Sequence, residues 1–97
     1  MDGGLNMEQK EYFCLYLSGL VQGVGMRYQI NNIAKEIDLR GYVKNLDDGR
    51  VKCVIYETNP GLKHFINLLN ETPRGRIDSI TVKDYSGNEV FENFTIR

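Results

Sequence analysis

The sequence predicts an α+β domain of order β-α-β-β-α-β, a sandwich with two helices on one face of a four- to five-stranded antiparallel sheet. Three observations predict it. Runs with a two-residue hydrophobic period alternate with runs of helical period. The breaks between them carry turn chemistry, and 97 residues suit a single domain core.

Residues 12–18, YFCLYLS, form the first strand, with Phe13, Leu15 and Leu17 alternating against Tyr12, Cys14 and Tyr16. A glycine-bearing loop follows over 19–26. From Arg27 to about Asp38, Ile30, Ile33, Ala34 and Ile37 recur at i, i+3, i+4 and i+7, the stripe of an amphipathic helix. Residues 39–45, LRGYVKN, make the second strand, 46–49, LDDG, a hairpin turn, and 50–57 the third strand. Asn59 and Pro60 supply an N-cap and a first-turn proline for the second helix. Leu62, Phe65, Ile66 and Leu69 mark its apolar face, and Thr72-Pro73 closes it. The fourth strand covers 76–84, with Ile80 and Val82 on one face. After a Ser86-Gly87-Asn88 turn, 93–97 adds a short edge segment. This is the split βαβ, or ferredoxin-like, pattern.

That order carries geometric content. Strands one and two, joined by a crossover helix, run parallel, so their C-terminal ends share one edge of the sheet. The 19–26 loop and Asn45 become neighbours. Val43 and Asn45 share parity, which turns the Asn45 side chain to the helix side, toward Arg27. Parity also sends Cys14 outward and Cys53 inward, which disfavours a disulfide between them.

Twelve basic and thirteen acidic residues give a net charge of −1. That balance argues against broad electrostatic capture of nucleic acid or of an anionic membrane. No run of eighteen apolar residues offers a membrane-spanning helix. MDGGLNMEQK, residues 1–10, lacks the apolar core of a signal peptide and reads as a flexible extension before a domain over 11–97. A cytoplasmic monomer is the expected form. Two cysteines without a CxxC pair are too few for a zinc cluster, so neither a metal nor a cofactor is expected.

The chemistry concentrates in GLVQGVGMRY, residues 19–28. Cations are disfavoured at helix N-termini, where unpaired N–H groups already make the end positive. Arg27 stands there, and from Tyr12 through Lys35 the chain has neither Asp nor Glu. The glycines let successive N–H groups curl toward one point, and a guanidinium binds phosphate oxygens as a fork. A plain turn with a solvated arginine fits the same residues, since the stretch is neither a Walker loop nor GxGxxG. Asn45 likewise suits a hairpin turn without any catalytic role. His64 falls off the apolar stripe and reads as solvated, Asp47 and Asp48 read as turn-formers, and Tyr28 as a residue that packs locally.

LSGLVQGVGMR (17–27) resembles the acylphosphatase signature at every specified position, and GYVKNLDDGRV (41–51) resembles the second motif of that family. The resemblance covers the chain from about Glu11 to Arg97. It implies hydrolysis of carboxyl-phosphate anhydrides to carboxylate and inorganic phosphate, without metal, with phosphate or sulfate as ligands. The loop of Gln22, Gly23, Val24, Gly25, Met26 and Arg27 would hold the phosphoryl group through main-chain N–H groups. Arg27 would grip its oxygens and Asn45 would position the attacking water. The chain departs from the family at Leu20, where a basic residue is frequent, and at Glu57, where glycine is usual.

Two other classes fit parts of the pattern. A binding module could keep the anion loop without turnover, since fold does not fix function. An RNA-recognition domain would need its sheet aromatics within an RNP pattern, and Tyr12, Tyr16 and Tyr56 lack that context. A carbamoyl-phosphate-handling domain, like the N-terminal part of hydrogenase maturation factors, would need a partner.

Overall fold

The computed structural model describes residues 9–97. Most of the extension expected over 1–10 lies outside the described residues, and Gln9 and Lys10 are exposed ahead of the first strand. The elements are β1 (Glu11–Leu20), α1 (Met26–Glu36), β2 (Arg40–Asn45), β3 (Val51–Glu57), α2 (Asn59–Asn70), β4 (Arg76–Asp84) and β5 (Phe94–Ile96). They form one sheet of order β4-β1-β3-β2-β5.

The pairs β1–β3, β1–β4 and β2–β3 are antiparallel, while β2–β5 is parallel. The sheet is therefore mixed, where the sequence predicts an antiparallel one. Three antiparallel steps separate β4 from β2, so those strands run in opposite directions. A chain that reverses after β4 must enter the far edge running with β2. The parallel relation of β1 and β2, with β3 between them, matches the expected crossover through α1.

Both helices pack on one face. Phe13, Leu15, Leu17, Val43, Val51, Cys53 and Ile55 of the strands meet Met26, Ile30 and Ala34 of α1 and Leu62, Phe65 and Leu69 of α2. Each fully buried large side chain in this layer stabilises the fold by roughly 1.5–3 kcal/mol. The opposite face holds a smaller cluster of Cys14, Tyr42, Val54 and Phe91, flanked by Tyr12, Tyr16 and Tyr85. Tyr12 stacks 4.6 Å from Tyr56 and meets Phe91 edge-on at 5.8 Å. The segment leading to β5 thus lays Tyr85 and Phe91 over the outward tyrosines. Cys14 and Cys53 are free, buried and on opposite faces.

Two helix ends differ from expectation. Asp38 takes a left-handed φ of 59°, so α1 stops at Glu36. The N-cap of α2 is Thr58, one residue before the expected Asn59: Thr58 Oγ1 accepts from Gly61 N at 3.0 Å. Glu57 sets this up by accepting Thr58 N at 2.8 Å through Oε1. Its side chain then occupies the space above Gly61, where a Cβ would overlap Glu57 Cγ. The glutamate at this departure from the resembled pattern is matched by the missing side chain of Gly61, four residues on.

Candidate active site

The loop between β1 and α1 ends at Gly25, the α1 N-cap, held in the left-handed region at φ 80°, which favours glycine. Met26 buries its side chain beneath the helix, and Arg27 follows as the second helical residue. No acidic residue lies in the first turn of α1. Among the described residues, no main-chain carbonyl takes the N–H of Gly23, Val24, Gly25, Met26 or Arg27. Those donors and the guanidinium form a local positive field in a chain of near-zero net charge.

Val21, Gly23, Gly25, Met26, Arg27, Tyr28 and Asn45 line a cavity of about 120 Å³. That is room for about four waters at ~30 Å³ each. The crossover topology is what joins these residues, because α1 starts and β2 ends at the same sheet edge. Asn45 follows Val43 by one strand period and reaches the cavity from below. Its Oδ1 is buried and accepts no hydrogen bond among the described residues. A buried acceptor without a partner is costly, and the residue that carries it lines the cavity together with Arg27.

Gln22 and Val24 stand outside the cavity lining. Val24 packs on the core. The Gln22 side chain crosses to the β2–β3 hairpin, where Nε2 donates to Leu46 O at 2.7 Å and to Arg50 O at 2.9 Å. The hairpin is itself closed by Leu46 N to Arg50 O at 2.8 Å and by Asp48 bonding to Arg50. Hydrogen bonds from the Arg50 main chain, then its side chain, hold the Asp48 carboxyl below its ordinary range.

Arg27 Nη1 donates to the main-chain oxygen of Arg97 at 3.3 Å. Arg97 is fixed by its own N–H to Val43 O at 2.8 Å, and its guanidinium lies 4.1 Å over the Tyr42 ring. An ion pair with Glu89 completes the anchor, and hydrogen bonding to Arg97 lowers the Glu89 pKa.

The remaining candidates fall away from the cavity or play another part. Tyr28 is 66% exposed at the cavity rim, where local packing was expected, because it projects from the solvent side of the first turn. His64 is exposed on α2, and Asp47 and Asp48 are exposed turn residues. Among the described residues no three His, Cys, Asp or Glu side chains gather where a metal could be held, and no helix is long and apolar enough to cross a membrane. A larger hollow of about 300 Å³ lies between the helices, lined by Gln29, Asn32, Ile33, Leu68, Glu71, Thr72 and Pro73. It holds no cation and is mostly apolar, so the smaller cavity is the better candidate for charged chemistry.

One cation near the loop escapes the sequence reading. Arg74 lies against Gly25, its Nη1 3.1 Å from where a Cβ on that glycine would stand. The signal that could have found it is topological: β4 pairs with β1, so residues just before Arg76 lie beside residues just after Leu20.

Residues 13–96 match the family model described as Acylphosphatase. An acylphosphatase of Borrelia garinii subsp. bavariensis is 42% identical over 94 residues, covering 93% of this chain and 98% of that one. The crystal structure of acylphosphatase from Bacillus subtilis superposes with a TM-score of 0.79 at 31% identity, covering 89% of this chain and 97% of the other. A probable carbamoyltransferase HypF of Methanocaldococcus jannaschii is 38% identical over 82 residues, which are 82% of this chain and 11% of that protein.

Proposed function

The chain belongs to the acylphosphatase family, an enzyme of the hydrolase class that acts on acyl phosphates, and on that premise we propose how its own residues carry out the reaction. The loop N–H groups from Gly23 to Arg27 take the phosphoryl oxygens, and the Arg27 guanidinium closes on them as a fork. Asn45 orients a water in line with the scissile bond, its unpartnered Oδ1 accepting a hydrogen bond from that water. The observation that carries this reading is the shared cavity: Arg27 and Asn45, eighteen positions apart in sequence, line one small space beside unbonded main-chain donors.

The chemistry asks little more of the protein. An acyl phosphate has a good leaving group, and phosphoryl transfer depends mainly on alignment and on stabilising charge at the transferring oxygens. Donors fixed before substrate arrives supply that stabilisation without reorganising. The water attacks phosphorus, the P–O bond to the carboxylate breaks, and the water's proton leaves to the phosphate or the departing carboxylate. The proposed reaction needs no metal and no protein base.

The test is turnover of benzoyl phosphate in excess chelator, beside Arg27→Ala and Asn45→Ala. The expected result is chelator-insensitive hydrolysis that both substitutions reduce to near background. Wild-type hydrolysis at the uncatalysed rate, or loss of activity on adding chelator, overturns the reading.

A further inference from the structure

The glycine loop has a second guanidinium beside it. A Cβ placed on Gly25 would stand 3.1 Å from Arg74 Nη1 and 3.8 Å from Arg74 Cδ. Arg74 therefore reaches the bare backbone at the N-cap of α1, where a side chain on residue 25 would crowd its guanidinium. The β1–β4 register, with Leu20 opposite Arg76, brings this connection to the loop. Gly75, at φ 71°, then packs under the Leu20 carbonyl and the ends of Val24 and Met26, where a side chain would collide. The packing of Gly75 fixes the backbone from which Arg74 projects.

Its electrostatic setting is unusual for a surface arginine. Arg50, Arg76 and Arg97 each hold a carboxylate in an ion pair, at Asp48, Asp78 and Glu89. Arg74 is exposed and takes part in none of these pairs. It stands instead beside Gly25 at the positive end of α1, whose first turn carries no acid. Gathered positive groups repel one another, and an anion seated among them adds an attraction to each that offsets this repulsion.

We propose that Arg74 is a substrate-binding residue that holds the phosphoryl dianion from the Gly25 side of the cavity, as the partner of Arg27. The assignment rests on the acyl phosphate reading of the same cavity. Arg27 belongs to the cavity wall and acts throughout the reaction. Arg74, exposed and set against Gly25 outside the cavity lining, acts on capture, so it contributes to ground-state affinity and encounter more than to the chemical step. Water and salt screen an exposed cation, which sets its contribution below that of a buried pair.

Two measurements test this. In the first, benzoyl phosphate kinetics are compared for wild type, Arg74→Gln, Arg74→Lys and Arg74→Gln with Leu20→Lys. The expected result for Arg74→Gln is a KM raised about 5- to 10-fold with kcat within twofold, a flatter rise of KM with salt, and partial recovery in Arg74→Lys and in the Leu20→Lys background. In the second, inorganic phosphate is titrated into the same proteins by calorimetry, with no turnover required. Arg74→Gln should weaken phosphate binding by a factor similar to the KM change. If wild type fails to hydrolyse benzoyl phosphate while Arg74→Gln still weakens phosphate binding, the hydrolytic reading fails and the binding role of Arg74 stands. KM and phosphate affinity both within twofold of wild type, or a fall in kcat with KM unchanged, overturns the proposal.

Discussion

Gln22 Nε2 lies 2.7 Å from the carbonyl oxygen of Leu46, the residue directly after Asn45. The same nitrogen reaches Arg50 O at 2.9 Å, so one side-chain amide ties the glycine loop to both ends of the turn between β2 and β3. Replacing it with leucine keeps the main-chain N–H of residue 22 and removes the tie. Gln22→Leu should lower kcat about 10- to 100-fold with a smaller change in KM, since misplacement of about 1 Å costs that much in an aligned reaction. Steady-state kinetics separate the two parameters, and denaturant unfolding should register a loss of about 0.5–1.5 kcal/mol per lost hydrogen bond, since Leu46 O and Arg50 O each keep a main-chain donor.

Arg27→Lys keeps the charge and discards the planar fork. Lysine binds phosphate as a point charge, so inorganic phosphate should inhibit this variant about tenfold less strongly. Turnover should remain measurable above that of Arg27→Ala. Competitive inhibition constants for phosphate across wild type, Arg27→Lys and Arg27→Ala give the ranking.

Glu57 and Gly61 should be coupled. Gly61→Ala places a methyl group against Glu57 Cγ and should destabilise the fold by about 1–3 kcal/mol. Glu57→Gly with Gly61→Ala should cost less than Gly61→Ala alone, because the clash is gone. A double-mutant cycle by urea unfolding measures the coupling, with at least about 0.5 kcal/mol expected.

Cys53 is buried in the core, and desolvation there pushes its thiol pKa far up, with a smaller push from Cys14. Native protein should leave Cys53 unmodified by a thiol reagent that labels it fully in denaturant. The linkage has a definite sign. The unfolded chain gives up this proton near the ordinary thiol pKa and the native chain does not, so stability is whole below that pH and falls as pH rises above it. Cys53→Ala should flatten the alkaline part of the stability–pH curve, read by urea midpoints from pH 7 to 10.

Much of this geometry is legible in the residues. The alternation of Phe13, Leu15 and Leu17 fixes the inner face of β1, and the same parity on β3 separates Cys14 from Cys53. Val43 orients Asn45, and the absence of acids around Arg27 marks the loop. Strand periodicity reports which way side chains point and is silent on which strand pairs with which, so the parallel seat of β5 on β2 does not follow from Phe94–Ile96. Thr58 and Asn59 are both competent caps, and only the reach of Glu57 Oε1 to Thr58 N decides between them. Tyr28 reads as a packing residue by type, while its position on the first turn of α1 aims it at solvent. Arg74 sits in an aperiodic connection, where neither period gives a side chain a direction.

The Arg97 oxygen that receives Arg27 Nη1 comes from seventy positions further along the chain. Closing so long a loop is entropically uphill until the contacts within it are made. Docking of β5 beside β2, which brings the Arg97 oxygen to Arg27, should therefore come late in folding. Activity regained during refolding should then lag the recovery of helical signal.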